Sequence, residues 1–452
     1  MKDNDEEQIR KYEELTTGDP HRLVAKFALP SIVTMLVSSL YNMADTFFIG
    51  RIDTQSTAAL GIVFSYMALI QAVAFFFGQG SGNYISRALG RRDTGNAAVM
   101  VSVGLLSALV AGCLIALPCA LFSTPLLRFL GSTETILPYA SDYFKWILPG
   151  TPFIIGCFAL NNQMRQQGNA LMSMIGIVSG VVLNIAIDPI FIFTLGMGVS
   201  GAGLATFISQ AVGFFLLLHL SGKNGGIRVS VREFKPSKYM YREIAAGGLP
   251  SLLRQGFGSI AAICLNQVAS QYGDASVAAF SIVNRFVMFV GAAMIGYGQG
   301  FQPVCGFNYG AGRYDRVRQA FWGCVKVSTL YCVILAVVGL VFAPGIIKFF
   351  RADDPEVLRM GVGILRWQCV SFPLVGFIVL TNMYLQNIRE IIPANLVSAA
   401  RQGLFLIPAI YAGTALLGFL GLEMAQCVSD VLTFILSIPL CLSALRRMGR
   451  SK

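Results

Sequence analysis

Two aspartates stand where a charge is costly. Asp188 lies in LNIAIDPIFIF (183–193), among isoleucines and phenylalanines and directly before Pro189, and Asp45 lies in LYNMADTFFIGR (40–51). No Lys or Arg stands within two helical turns of Asp188. Asn184 precedes Asp188 by four residues, so on a helix the two share a face and converge on one small ligand. Pro189 has no N–H to give the carbonyl of Ile185, which leaves a backbone oxygen free one turn below. Two carboxylates, an amide oxygen and a hydroxyl are hard oxygen donors suited to sodium. The same two acids, close together and poorly hydrated, could instead carry a proton. The residues alone leave both uses open.

Such a site needs a bundle that excludes water, and the composition supplies one. The 452 residues are 55% hydrophobic and 13% charged, with 33 Phe and 47 Gly and a mean hydropathy of +0.65, the profile of a polytopic membrane protein. Twelve continuous apolar runs are each long enough to span a bilayer as a helix: 25–50, 58–82, 96–123, 138–163, 171–195, 200–222, 243–271, 277–303, 318–343, 358–386, 391–415 and 418–445. They do not alternate as barrel strands would, so the expected fold is an all-α integral membrane protein. The first 24 residues read as a charged cytoplasmic segment and not as a cleaved signal peptide. With the amino terminus inside, 23 Lys and Arg fall in inside segments and five (Arg51, Arg128, Lys348, Arg351, Arg359) in outside loops. By the positive-inside rule both termini are then cytoplasmic. The net charge of +11 reports this topology and not a nucleic-acid partner. Ten cysteines without CxxC spacing read as packing residues.

The chain repeats itself. A shift of 220 residues lays LPS at 29–31 on LPS at 249–251, GQG at 78–80 on GQG at 298–300, and Gly201, Ala205 and Ser209 on Gly421, Ala425 and Ser429. Each GQG leads into a basic loop, so the two six-helix units share one orientation. Parallel repeats of this kind are a transporter architecture with substrate held between halves. The expected organisation is a cytoplasmic segment 1–24, an amino-terminal lobe 25–222, a cytoplasmic linker 223–242, a carboxyl-terminal lobe 243–445 and a tail 446–452.

The stretches LPSIVTMLVSSLYNMADTFFIGR (29–51), LNIAIDPIFIF (183–193) and GVSGAGLATFISQ (198–210), set in two six-helix halves, resemble the multidrug and toxic compound extrusion (MATE) family. The likeness is to the bacterial branch of staphylococcal-type multidrug exporters and DinF-like proteins. It implies two lobes in a V and a drug/cation antiporter in the bacterial plasma membrane. It also implies a coupling site at Asp45, Asn184, Asp188 and Thr206, where Na⁺ would bind if sodium is the coupling ion. A polar network at Tyr41, Tyr143 and Asn161 and a bend in the first membrane helix at Pro30 are implied as well. The related NorM-like branch carries acids in its seventh and tenth helices, which are absent here, so no second cation site is expected in the carboxyl-terminal half.

Asp45 and Asp188 are nearly the only acids read inside the spans, and both fall in the first half. The second half has Arg254, Arg285 and Arg401, which with Met294 and Gln299 are candidates to line a substrate cavity or, for the arginines, to bond helix-end carbonyls. Gln79 and Gln299 of the GQG repeats read as helix-packing and hinge elements. The reading is a secondary active exporter of amphipathic, cationic drugs, coupled to Na⁺ or H⁺, monomeric, without cofactor or nucleic-acid partner. A flippase for a lipid-linked glycan is the alternative, which an arginine-rich central cavity and additional helices would favour. Only His21 and His219 are present and no HExxH or GxSxG occurs, so an enzyme is not expected.

Overall fold

The computed structural model describes residues 2–350 and 354–450; Arg351, Met1 and residues 451–452 of the tail lie outside the described residues. Its helices are α1 Lys2–Thr17, α2 Pro20–Ile49, α3 Thr54–Gly90, α4 Thr94–Leu121, α5 Ser123–Phe129, α6 Leu137–Gln166, α7 Ala170–Pro189, α8 Gly198–Ser221, α9 Lys238–Ala269, α10 Asp274–Gly310, α11 Tyr314–Phe350, α12 Pro355–Asn387, α13 Ile391–Ala399, α14 Leu406–Leu417 and α15 Phe419–Arg450. The twelve expected spans fall on α2, α3, α4, α6, α7, α8, α9, α10, α11, α12, α13–α14 and α15. Eleven of them are long and apolar enough to cross a membrane. The twelfth, α9, has the length (32 residues) but carries Arg242, Glu243 and Arg254.

Polar residues sit at the ends, where they serve the unpaired amides of each first turn. Asp53 caps α3 by accepting from Ser56 N at 2.6 Å, Asp93 caps α4 through Asn96 N at 3.1 Å, and Asp354 caps α12 through Glu356 N at 3.0 Å. The duplication is visible in backbone detail. Gly198 and Gly418, one repeat apart, both take positive φ (+58° and +61°) to turn the chain into α8 and α15. Asn161 donates to Ser173 O at 3.1 Å and Asn382 to Ala394 O at 2.9 Å, the same contact in each half.

The two halves meet at the end of the bundle that carries the basic loops. Glycines make that contact: a Cβ on Gly80 would stand 2.2 Å from Ile244 O, on Gly248 2.1 Å from Phe76 O, on Gly90 2.3 Å from Phe307 O, and on Gly300 2.4 Å from Ala28 Cα. Toward the other end the halves part, and Gly256, Gly258 and Gly291 face open space. The result is a V closed at the basic end. Arg87 of α3 fastens the closure, donating to Asn387 O at 2.8 Å and to Glu243 Oε2 at 3.0 Å, while Arg389 pairs with the other Glu243 oxygen at 2.5 Å.

Helix α2 belongs to both halves. Leu23, Val24 and Phe27 pack with Phe301, Phe321 and Tyr384 of the second half, whereas Tyr41 and Ile49 lie in the core of the first. Pro30 stands between these stretches, inside an unbroken helix. Its missing N–H removes one bond of the ladder at the point where α2 changes neighbours.

A methyl group at Gly80 has to displace backbone. Gly80→Ala should therefore destabilise the closed basic end by about 1–3 kcal/mol, read as a lower thermal midpoint of the purified protein, while Gly291→Ala should leave the midpoint unchanged. Equal midpoints for the two variants would contradict this packing.

Candidate functional site

Near the open end, four helices of the first half bring their polar residues together. Asp45 stands one turn after Tyr41 on α2; Asn184 and Asp188 are a turn apart on α7; Thr206 comes from α8 and Tyr143 from α6. All six side chains are buried, Asp188, Asn184, Thr206 and Tyr143 completely. Asn184 Nδ2 donates to Asp188 Oδ1 at 3.3 Å, and the hydroxyls of Tyr41 and Thr206 share a hydrogen bond at 3.3 Å. Asp45 faces Asp188, with Tyr41 and Tyr143 beside the pair.

The oxygens of this cluster are underused. Both oxygens of Asp45, Oδ2 of Asp188, Oδ1 of Asn184 and the hydroxyl of Tyr143 are buried without a hydrogen-bond partner among the described residues. Leaving so many acceptors unpaired in a low-dielectric interior is costly, and a small cation or proton would relieve it. The donor set suits a hard cation: carboxylate, amide and hydroxyl oxygen, with no sulfur or imidazole.

The local backbone explains why Asp188 is held at this depth. Pro189 ends the α-hydrogen-bond ladder, and residues Ile190–Thr194 follow as a π-helix closed by Leu195 N to Ile190 O at 2.9 Å. A wider turn of this kind is often found at functional sites. Gly201 lets α8 close on the turn, since a Cβ there would stand 2.7 Å from Phe191 O.

A cavity of about 370 Å³ adjoins the cluster inside the first half. Tyr41, Phe64, Met67, Gln71, Phe158, Ser209, Gln210 and, from α10, Met288 are among its wall residues. Among the described residues the wall contains no charged side chain. Tyr41 is common to both features: it lines the cavity and its hydroxyl meets Thr206.

Several expected positions lie elsewhere. Asn161 is eighteen residues beyond Tyr143 on α6, about 27 Å along the helix, and its side chain is engaged by Ser173 O and by Arg165 Nη1 at 3.4 Å. It is thus part of the basic end and not of the carboxylate cluster. The residues expected to line a substrate cavity do not line this one. Met294 is buried in the second half's core, accepting from Cys332 Sγ at 3.6 Å. Gln299 is buried where the halves meet, against Met35 Sδ at 3.8 Å. Gln79 links both sides, accepting from Gln302 Nε2 and donating to Asn162 Oδ1, each at 3.0 Å. Arg285 is exposed, and Arg254 is half-buried with no acidic partner among the described residues.

Arg401 has a partner the sequence reading passed over, Asp430 of α15. Arg401 Nε donates to Asp430 Oδ1 at 2.8 Å, Gln426 Nε2 donates to the same oxygen at 3.0 Å, and Ser371 Oγ donates to Oδ2 at 2.8 Å. Arg401 also lies in a π segment, Ala400–Leu404, whose carbonyl at Arg401 is capped by Ser429 Oγ at 2.6 Å. Gly180 and Gln210 stand one repeat earlier, 221 and 220 residues before Arg401 and Asp430, and both line the cavity of the first half. An ion pair therefore fills the place in the second half where the first half is hollow.

This duplicated bundle, with a cluster of buried acids lacking a basic partner among the described residues of its first half, is a membrane transporter fold. The MatE family model matches residues 30–190 and again 250–412, once in each half, and the chain belongs to the MATE family of transporters; it is not an enzyme. It is 30% identical to the multidrug export protein MepA of Staphylococcus haemolyticus (strain JCSC1435) over 454 residues, covering 100% of this chain and 98% of that protein. A MATE crystal structure in complex with MaL6 superposes with a TM-score of 0.91 at 26% identity, covering 97% of this chain and 99% of the other. An outward-facing multidrug resistance MATE transporter of the MOP superfamily gives 0.90 at 27% identity, covering 97% and 98%.

Removing one member of the Arg401–Asp430 pair strands the other. Asp430→Leu should cost about 3–5 kcal/mol, and Arg401→Leu in the same chain should recover most of it, measured as thermal midpoints of the single and double variants. A single variant as stable as the parent would remove the pair from this account.

Proposed function

We propose that the chain is a secondary active multidrug exporter that exchanges amphipathic, cationic drugs for Na⁺ or H⁺ by alternating access. The observation that carries the reading is the set of unpartnered oxygens on Asp45, Asp188 and Asn184 beside an uncharged aromatic and methionine cavity. Adaptable surfaces of Phe and Met suit promiscuous binding, and the staphylococcal relative named above is a multidrug export protein. The basic end is cytoplasmic on this reading, so the described arrangement is open to the outside.

The division of labour follows from the residues. Asp45, Asn184, Asp188 and Thr206 hold the coupling ion: sodium through their oxygens, or a proton on one of the two facing carboxylates. The cavity holds the drug, with Gln71 and Gln210 offering amide oxygens to a cationic group. Tyr41 belongs to both, so occupation of one place is felt at the other. Export requires the ion and the drug to favour opposite arrangements of the lobes, since a ligand shifts an equilibrium only by its differential affinity. Pro30 and the π turn after Pro189 supply the compliance in α2 and α7.

The test is drug efflux from proteoliposomes under separately imposed Na⁺ and pH gradients. Asp45→Asn and Asp188→Asn should each abolish ion-driven efflux while leaving folded protein, because they remove charge and keep shape; normal efflux by either variant would sink the reading. Tyr41→Phe should change drug affinity by no more than about tenfold, the scale of one hydrogen bond, yet weaken the dependence of efflux on the ion gradient. Full ion dependence in that variant would place the link elsewhere.

A further inference from the structure

Helix α1 lies outside the membrane-spanning set, yet its polar contacts are divided between both halves. The last four carbonyls of a helix have no partner within it. In α1, Glu14 O takes the amide of Gly18 at 2.9 Å, and the other three are served by the second half. Asn308 Nδ2 donates to Leu15 O at 2.9 Å, Arg313 Nη1 to Thr16 O at 2.8 Å and Arg316 Nη1 to Thr17 O at 3.3 Å, while Arg316 also reaches Gly18 O. Two guanidinium groups thus meet the negative end of the α1 dipole. Arg316 Nε in turn donates to Asn308 Oδ1 at 2.8 Å, which holds the cap together.

The opposite flank of α1 meets the first half. Lys11 Nζ donates to Asn169 Oδ1, in the α6–α7 turn, and to Asn224 O, in the linker. The guanidinium of Arg92, in the α3–α4 turn, lies over the Tyr12 ring at 4.4 Å. Leu15 packs beside Gly168, whose Cβ position would stand 3.3 Å from Leu15 Cδ1. All these partners lie at the basic end, where the lobes are shut.

The two attachments are unequal. On the second-half side α1 has three capped carbonyls and a continuous connection to the start of α2, which packs in the same cluster as Leu15. On the first-half side, among the described residues, it has the two Lys11 hydrogen bonds, the Arg92–Tyr12 cation–π contact and the packing of Leu15 beside Gly168, with no continuous chain connection. When the basic end opens, its two sets of partners must separate, and the weaker set yields.

We propose that α1 is a latch that holds the basic end closed, riding with the second half and releasing the first half at Lys11 when that end opens. The inference rests on the alternating-access reading above, and the test reads conformation without any transport, so the two fail separately. A latch biases the equilibrium because its contacts exist in one arrangement only.

Hydrogen–deuterium exchange of the full-length protein in lipid nanodiscs, read by mass spectrometry, decides it. Lys11→Ala should speed exchange in residues 2–17 and in the closing segments 80–90 and 300–310. The shift is roughly tenfold, the equivalent of one charge-assisted hydrogen bond. At the same time exchange should slow around 255–263 and 284–291, as the opposite end closes. Faster exchange in 2–17 with both ends unchanged would overturn the latch, and so would uniformly faster exchange, which marks a purely structural role. If 2–17 stays protected in Lys11→Ala, a variant lacking residues 2–17 takes its place: the reciprocal pattern supports the latch and its absence overturns it. A parent protein that shows the pattern on mutation but exports no drug would overturn the transport reading alone.

Discussion

Two carboxylates share a buried pocket with too few hydrogen bonds between them, and the rest of the structure depends on that imbalance. An ionised carboxylate buried without a partner is strongly disfavoured, and here two face each other with, among the described residues, one hydrogen bond, from Asn184 to Asp188. Such a site is stable only when something neutralises it or when the surrounding helices move to admit water. On the proposed function the pocket is a demand for a cation whose strength depends on how α2, α7 and α8 are arranged. The second half has no such demand, because Asp430 is already satisfied by Arg401, Gln426 and Ser371. The two halves are similar in sequence and fold, and in the second an ion pair occupies the positions one repeat on from the cavity wall of the first.

How the demand reaches the lobes is a matter of which helix touches what. Helix α2 starts in the core of the second half and ends in the core of the first, with Asp45 near its far end and Pro30 at the crossover. On the proposed function α2 is the element that carries a change at Asp45 toward the closed basic end, where glycines bring backbones into direct contact. Interfaces this close are bistable rather than gradual, since a contact with no side chain to adjust is either made or broken. The buried Arg87–Glu243 pair, joined by the exposed Arg389, and the capped end of α1 add polar contacts to the same closure.

Much of the fold is legible in the chain because its determinants are local. Apolar runs mark the spans, and a repeated GQG and LPS mark the duplication. The asymmetry of acids was legible too, but incompletely. Asp430 sits in AQCVSDVLTF without a basic neighbour, and its partner is 29 residues away across a helix turn, so only tertiary contact reveals that it is structural. The misplacement of Asn161 has a different cause: it followed from family resemblance, whereas the eighteen residues separating it from Tyr143 on one helix already put the two about 27 Å apart. The cavity escaped the sequence reading because its wall, of Phe, Met, Gln and small residues, has the composition of an ordinary helix interface. Position 180 is glycine where its repeat has Arg401, and that difference was the one available sign.

The central claim is that ion and drug are linked through the carboxylate cluster, and equilibrium binding tests it most directly. Binding of a radiolabelled lipophilic cation such as tetraphenylphosphonium to the purified transporter would be measured across Na⁺ concentration at fixed pH, and across pH without Na⁺. Linkage requires that whichever ion couples must weaken drug binding by the same factor by which drug weakens ion binding, roughly fivefold or more for ordinary coupling energies. The dependence should vanish when Asp45 and Asp188 are both replaced by Asn. Drug that binds the parent protein with an affinity indifferent to both ions would contradict the account.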